Sequence, residues 1–254
     1  VVEAGPRRGE RVGCEINFAC GSCAQCVRDM GRHCPHRSVL GILNQDGAFA
    51  DYVLAPTRNL HRIPDEIDDE QAVFVEPLAA AFEILDQVQL RSCDEVLVLG
   101  DGKLGLLVAQ VVALGPARVL CVGKHRDHLD ILAARGVDTV VFDDWDRAQR
   151  DVVIEATGTA TGFEIAVAAT RPRGRLVLKS TLADKQPLSL AAVVINELQV
   201  IGSRCGPFAP AIAALASGRI EVRTMVARRF DLAAGLDAFD CAGRRGALKV
   251  LLRA

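Results

Sequence analysis

Four cysteines, Cys20, Cys23, Cys26 and Cys34, stand in the pattern C-x-x-C-x-x-C followed by seven residues and a fourth Cys. No other feature limits so sharply what this chain can fold into. Four thiolates in so short a stretch can surround one tetrahedral zinc unaided. The segment ACGSCAQCVRDMGRHC has Gly21 and Gly31 for tight turns but few apolar residues for a core. Metal binding therefore supplies the folding energy that packing cannot. With all four positions filled by protein, such a site is closed and structural. Two disulfides or an iron–sulfur cluster are the competing arrangements; their usual spacings differ from this one.

The chain has 254 residues, enough for one large domain or two ordinary ones. Its formal charge of −2 provides no basic field for nucleic acid, and no apolar run is long enough to span a bilayer. Of the nine cysteines, Cys14, Cys93, Cys121, Cys205 and Cys241 are isolated, mostly among apolar neighbours. That usage suits buried, inert thiols and a reducing cytoplasm. Val1-Val2-Glu3-Ala4-Gly5 reads as the end of a strand entering a turn, with no initiator Met. The sequence thus reads as the remainder of a longer protein.

Residues 1–65 are rich in turns, punctuated by Gly5-Pro6, Gly47, Pro56 and Pro64. Arg11–Ile16 and Ala48–Leu54 alternate as half-buried strands do. A helix is expected from Glu76-Pro77, where proline's missing N–H costs nothing. Strands at 95–99, 118–122, 139–142, 152–155, 174–178 and 199–202 then alternate with helices at 103–114, 129–135 and 161–170. Short apolar strands separated by helices predict an α/β fold with a doubly wound parallel sheet, covered on both faces. The stretch from Arg245 to Leu252 reads as a last strand returning to the first domain. The boundaries implied are 1–76, 77–204 and 205–254.

Gly100-Asp101-Gly102-Lys103-Leu104-Gly105 follows the apolar strand directly and opens a helix. This is G-x-G-x-x-G in the context that gives it meaning. Gly100 makes the tight turn, Gly102 admits a pyrophosphate, and Gly105 lets the helix pack on the strand. The helix N-terminus offers free N–H groups to phosphates. The acidic residue that reads the ribose hydroxyls of NAD belongs at the end of the next strand, a position held here by Gly123 and followed by Lys124-His125-Arg126. A missing carboxylate beside cations favours a 2′-phosphate, so NADP is expected over NAD; a solvated basic turn is the alternative. Thr157, after the strand ending at Glu155, is a further cofactor candidate.

Taken together, the four-Cys lobe, Gly47-Ala48-Phe49-Ala50-Asp51-Tyr52, Val75-Glu76-Pro77-Leu78-Ala79, the glycine turn and Glu155-Ala156-Thr157-Gly158 make the chain resemble the zinc-containing medium-chain alcohol dehydrogenases, in their sorbitol- and threonine-dehydrogenase-like branch. The resemblance implies a Rossmann domain joined to a GroES-like β-rich catalytic domain, here partial, and a homodimer or tetramer. It implies a second, catalytic zinc that polarises an alcohol oxygen while hydride moves to or from the nicotinamide. Glu76 matches one ligand of that zinc and is the catalytic candidate. An acidic residue at a helix N-terminus is also favoured by the dipole alone. The Cys and His-Glu that complete the family's site have no counterpart here. His33, His36, His61, His125 and His128 read as surface residues.

The expected activity is hydride transfer between an alcohol or polyol, or its carbonyl, and a nicotinamide dinucleotide, with no nucleic-acid or membrane partner. Two alternatives stand beside it: a zinc- and dinucleotide-binding fragment without turnover, and a zinc-independent quinone or enoyl reductase. Relatives of the latter kind generally lack a four-Cys lobe.

Overall fold

The computed structural model describes residues 1–181 and 190–253. Its contacts divide the chain into two compact units: Val1–Glu76 with Phe208–Gly218 and Val226–Ala254, and Pro77–Pro207 with Arg219–Met225.

In the first unit, β1 (Val12–Cys14) and β4 (Leu60–Arg62) pair antiparallel, as do β2 (Asn17–Phe18) and β3 (Ser38–Val39). The buried Asn59 amide joins them by donating to the Asn17 carbonyl at 2.8 Å. Between β2 and β3 lies the cysteine segment, with a single helical turn, α1 (Ala24–Val27). A short helix, α2 (Asp69–Ala72), is closed at its start by reciprocal bonds between Asp68 and Gln71, a capping box.

The stretch 48–54, expected as a strand, is irregular. Phe49, Tyr52 and Leu54 are largely exposed, and no described strand pairs with the segment. Alternation describes a face; a strand also needs a partner for its backbone. Val1–Gly5 likewise forms no strand, although Val2 exchanges backbone bonds with Gly9 and Glu10 across a turn.

The second unit begins inside the first turn of α3 (Val75–Gln87). The parallel strands are β5 (Glu95–Leu99), β6 (Arg118–Gly123), β7 (Asp138–Val141), β8 (Arg150–Glu155), β9 (Thr170–Leu178) and β10 (Gln199–Gly202). Among the described residues they form one sheet in the order β10-β9-β8-β5-β6-β7. The chain runs outward from β5 to β7, then crosses to β8 and runs outward the other way. This reversal makes a switch point between β5 and β8, where such sheets bind ligands at the carboxyl ends of the strands.

The helices of this unit are α4 (Lys103–Val112), α5 (Arg126–Ala133), α6 (Ala160–Ala169) and α7 (Ala191–Ile195). Leu97, Val153 and Leu176, all fully buried, centre a core with Trp145, Val122 and Leu198. From Leu106 to Val112, α4 is buried throughout. Its one polar member there, Gln110, bonds both the N–H and the carbonyl of Glu221, which satisfies a buried amide. The Arg171–Arg175 segment lies within β9. It bulges there: the pairing with β8 shifts register, and Arg173 adopts φ +60°.

Returning to the first unit, α8 (Phe208–Ala216), α9 (Gly235–Ala242) and the parallel pair β11 (Val226–Asp231) and β12 (Lys249–Arg253) complete the chain.

Candidate functional site

The four cysteine sulfurs converge. Sγ–Sγ separations are 3.4 Å (Cys23–Cys26), 3.6 Å (Cys20–Cys34), 3.7 Å (Cys23–Cys34) and 3.9 Å (Cys20–Cys26). Zn–S bonds of about 2.3 Å in a tetrahedron give edges of about 3.8 Å. The donor set therefore fits zinc. These separations are far beyond a disulfide bond, and none of the nine cysteines is in a disulfide.

Local geometry builds this cradle. Gly21 takes φ +86°, where a side chain is strained, and Asp29 turns the chain at φ +59°. Backbone N–H groups of Ser22 and Cys23, with the Ser22 hydroxyl, pull the Cys20 thiol down to about 5, while burial pushes the Cys26 thiol up to about 11. Apart from Cys34, no residue from Cys20 to Arg37 is buried.

At the switch point, the glycine turn has the geometry a dinucleotide needs. Gly100 adopts φ +115°, and a Cβ there would sit 2.5 Å from the Ala156 carbonyl oxygen. At Gly105 a Cβ would collide with the Gly100 carbonyl group, 2.8 Å from its carbon. Gly102 differs: a Cβ there meets nothing within 4 Å. Nothing inside the chain requires glycine at 102, but the open space a side chain would fill is where a pyrophosphate approaches. Gly102 is the N-cap of α4, makes no side-chain cap, and no acidic residue occupies the first turn. The N–H groups that open the helix are thus left for an anion. The residues fit a dinucleotide, with Lys103 and Leu104 in that first turn.

Asp101, which sequence reasoning passed over, governs the neighbouring loop. Its Oδ2 accepts from the backbone N–H of Lys124 (2.8 Å) and of His125 (2.6 Å), and lies 3.0 Å from His125 Nδ1. His128 Nδ1 meets the Asp101 carbonyl at 2.9 Å, and the two imidazoles lie 4.6 Å apart. His128 is buried, not on the surface as expected, because it is the partner of that carbonyl. Asp101, His125 and His128 have potential ligand atoms within 4.8 Å of one another. The Asp101 oxygen facing His125 is already bonded by two backbone amides, which is the bonding of a loop tie. Lys124 and Arg126 are exposed at the same end.

Glu155 closes β8 at the other side of the switch point. It is 3% exposed, and its Oε1 accepts from the Thr157 N–H (2.8 Å), the Thr157 hydroxyl (2.6 Å) and the Ser180 hydroxyl (3.0 Å). Ser180 in turn accepts from the Gly158 N–H at 2.8 Å. A Cβ at Gly162 would strike this group, 2.7 Å from Oε1. Lys179 turns inward. Its Nζ donates to the carbonyls of Ala80 (2.7 Å) and Arg204 (2.9 Å) and to Ser203 Oγ (3.2 Å).

Glu76 lies in the first turn of α3 and is half-buried. It belongs to neither cluster of three or more metal-capable side chains among the described residues. His33 and His36 are exposed. His61 is in β4, with Nε2 2.8 Å from Glu15 Oε1 and its ring 4.8 Å from that of Phe208.

Two family models match the chain: the alcohol dehydrogenase GroES-like domain over residues 1–65 and the zinc-binding dehydrogenase over 104–217. A sorbitol dehydrogenase of Halalkalibacterium halodurans is 28% identical over 96% of this chain and 76% of its own length. The L-threonine 3-dehydrogenase of Anaeromyxobacter dehalogenans is 30% identical over 97% of this chain and 75% of its own. Among solved structures, one from Sinorhizobium meliloti, described as a zinc-binding dehydrogenase and bound to NADP, superposes with a TM-score of 0.86. It is 28% identical and covers 100% of this chain and 79% of that one. An alcohol dehydrogenase (rspB) of E. coli, complexed with NADH, superposes at 0.87 with 25% identity, covering 100% and 80%.

The chain belongs to the zinc-binding, medium-chain alcohol dehydrogenase family. It is an oxidoreductase of that zinc- and nicotinamide-dependent type, with a Rossmann domain and a GroES-like domain. No helix among its described residues is long and apolar enough to cross a membrane.

Proposed function

We propose that this chain transfers hydride between an alcohol or polyol, or its carbonyl, and NADP in preference to NAD. The observation that carries the cofactor choice is the end of β6. Gly123 has no room for a side chain, because a Cβ there would lie 2.5 Å from Asp101 Cγ and 2.6 Å from Oδ2. The strand end thus carries no carboxylate of its own to accept from a ribose 2′-hydroxyl, and Lys124, His125 and Arg126 follow with their donors. Gly102, Lys103, Leu104 and Gly105 hold the pyrophosphate through the backbone N–H groups that open α4, and Gly100, whose own N–H donates to the Val122 carbonyl, makes the tight turn before them. Thr157, held by Glu155, stands just past the end of β8 at the switch point.

Cys20, Cys23, Cys26 and Cys34 hold a structural zinc. Glu76 would supply one ligand of a catalytic zinc, which when bound would provide Lewis-acid stabilisation of alkoxide character. The relatives' names, sorbitol and L-threonine dehydrogenase, support a small polar secondary alcohol as substrate. The test is a pair of fluorescence titrations with NADPH and NADH, followed by turnover assays with sorbitol and threonine. Tighter NADH binding refutes the cofactor choice. One zinc per chain, dinucleotide binding and no turnover with either alcohol would instead favour a binding module.

A further inference from the structure

We propose that Asp101 is the positioning residue that builds the 2′-phosphate site. It does so from the glycine turn rather than from the end of β6. This rests on the NADP reading above and adds the residue responsible for it.

In a dinucleotide fold the acidic residue at the second strand's end projects toward the adenosine ribose. Here the strand end is Gly123, and the volume its side chain would occupy is filled by the Asp101 carboxylate. That carboxylate is turned inward: the side chain is 9% exposed. Oδ2 is occupied by three donors, the Lys124 N–H, the His125 N–H and His125 Nδ1. An oxygen so engaged organises a loop and is not left to read a ribose hydroxyl.

What it organises is the start of α5. Two consecutive backbone N–H groups, at Lys124 and His125, are drawn onto one carboxylate. His125, the N-cap of α5, makes no side-chain cap of its own, so Asp101 serves the residues before the helix from a distance. The Asp101 carbonyl meets His128 one turn further on, at 2.9 Å. Residue 101 is thereby fastened to α5 through both its backbone and its side chain. The loop so fixed carries the Lys124 and Arg126 side chains outward, both exposed. Gly123 is needed for this tie. Asp101 and Gly123, 22 positions apart, form one device.

The experiment compares wild type with Asp101→Ala, Asp101→Asn, Gly123→Ala and the double variant Asp101→Ala/Gly123→Ala. Dissociation constants for NADPH and NADH are measured alongside amide hydrogen exchange at Lys124 and His125. Asp101→Ala should weaken NADPH about tenfold and NADH less than about threefold, as expected for losing charge-assisted bonds that orient only the 2′-phosphate contacts. Asp101→Asn keeps an acceptor for the two amides and should recover most of the NADPH affinity.

Gly123→Ala should itself loosen the loop. Added to Asp101→Ala it should cost less than it does alone, because the collisions with Cγ and Oδ2 have gone while that with the Asp101 Cβ, at 2.4 Å, remains. Strictly additive effects of the two substitutions, or unchanged exchange at Lys124 and His125 in Asp101→Ala, overturn the proposal. So does a rise in NADPH affinity relative to NADH in Asp101→Ala, which would make Asp101 a ribose-reading carboxylate. Exchange and non-additivity do not depend on which dinucleotide wild type prefers. Tighter NADH binding by wild type alone therefore sinks the cofactor reading and leaves the tie standing. Should Asp101→Ala fail to fold, Asp101→Asn decides: protection at both amides and NADPH affinity that are kept together or lost together support the tie, and retained protection with lost NADPH affinity overturns it.

Discussion

The cysteine lobe and the glycine turn are both short segments that fix backbone in tight curves, yet they achieve it by opposite means. In the lobe, Cys34 alone among residues 20–37 is buried, and Val27 is 78% exposed. Order there comes from four sulfurs brought within 4.8 Å of one another and from a few turns. The glycine turn instead follows a strand buried from Val96 to Leu99 and packs against a helix that is buried from Gly105 to Val112. Its curvature follows from close packing, since a Cβ at Gly100 or Gly105 meets another backbone. One region is shaped by a ligand, the other by exclusion of volume.

The largest expected effect tests the ligand side. Cys34→Ala, or chelation, should release the proposed zinc, whose binding in small zinc modules is worth about 10–16 kcal/mol. Metal analysis should fall below one zinc per chain and amide protection over residues 20–37 should vanish, while β5 and β8 keep theirs. Retained protection in the lobe without metal would break the contrast.

Next is Gly105→Val on the packing side. A branched side chain against the Gly100 carbonyl should cost about 3 kcal/mol or more, read as a lower urea midpoint, and abolish dinucleotide binding. A smaller loss is expected from Glu155→Ala, which strips the acceptor from the Thr157 N–H and from two hydroxyls. About 1–3 kcal/mol should be lost in chemical denaturation. Glu155→Gln, which keeps an acceptor oxygen, should lose less.

The smallest effect returns to the lobe. Val27→Ser should change stability by less than about 0.5 kcal/mol, because the valine contributes no burial. A clear destabilisation would mean that packing, after all, supports the lobe.

Much of the α/β half was legible because its signals are local. Continuous apolar strands such as 95–99, helices with one buried face, and three glycines each with a task need only their neighbours to be read. Boundaries moved by a few residues: α5 starts at Arg126, ahead of Leu129, and Thr170 belongs to β9. The misreadings have a common cause. Residues 48–54 alternate in sequence, but no described strand pairs with them. His61 and His128 looked like surface residues because Glu15, Phe208 and the Asp101 carbonyl lie far from them in sequence. Asp101 was passed over since it is the variable position of its motif. Its role arises only where β6 ends beside the turn after β5.

The chain's own order of residues determined the cysteine spacing, the phosphate turn after an apolar strand and the alternation of strands with helices. Each is a short-range pattern, fixed by backbone geometry and by the reach of one side chain. Only the tertiary structure decided which groups meet. It brought the four sulfurs to the edge lengths of a zinc tetrahedron, set Glu155 beneath Thr157 and Ser180, and put the Asp101 carboxylate into the space that Gly123 leaves. Such pairings depend on where separate strands lie in one sheet, and a linear pattern carries no record of volume left empty by a residue twenty positions away.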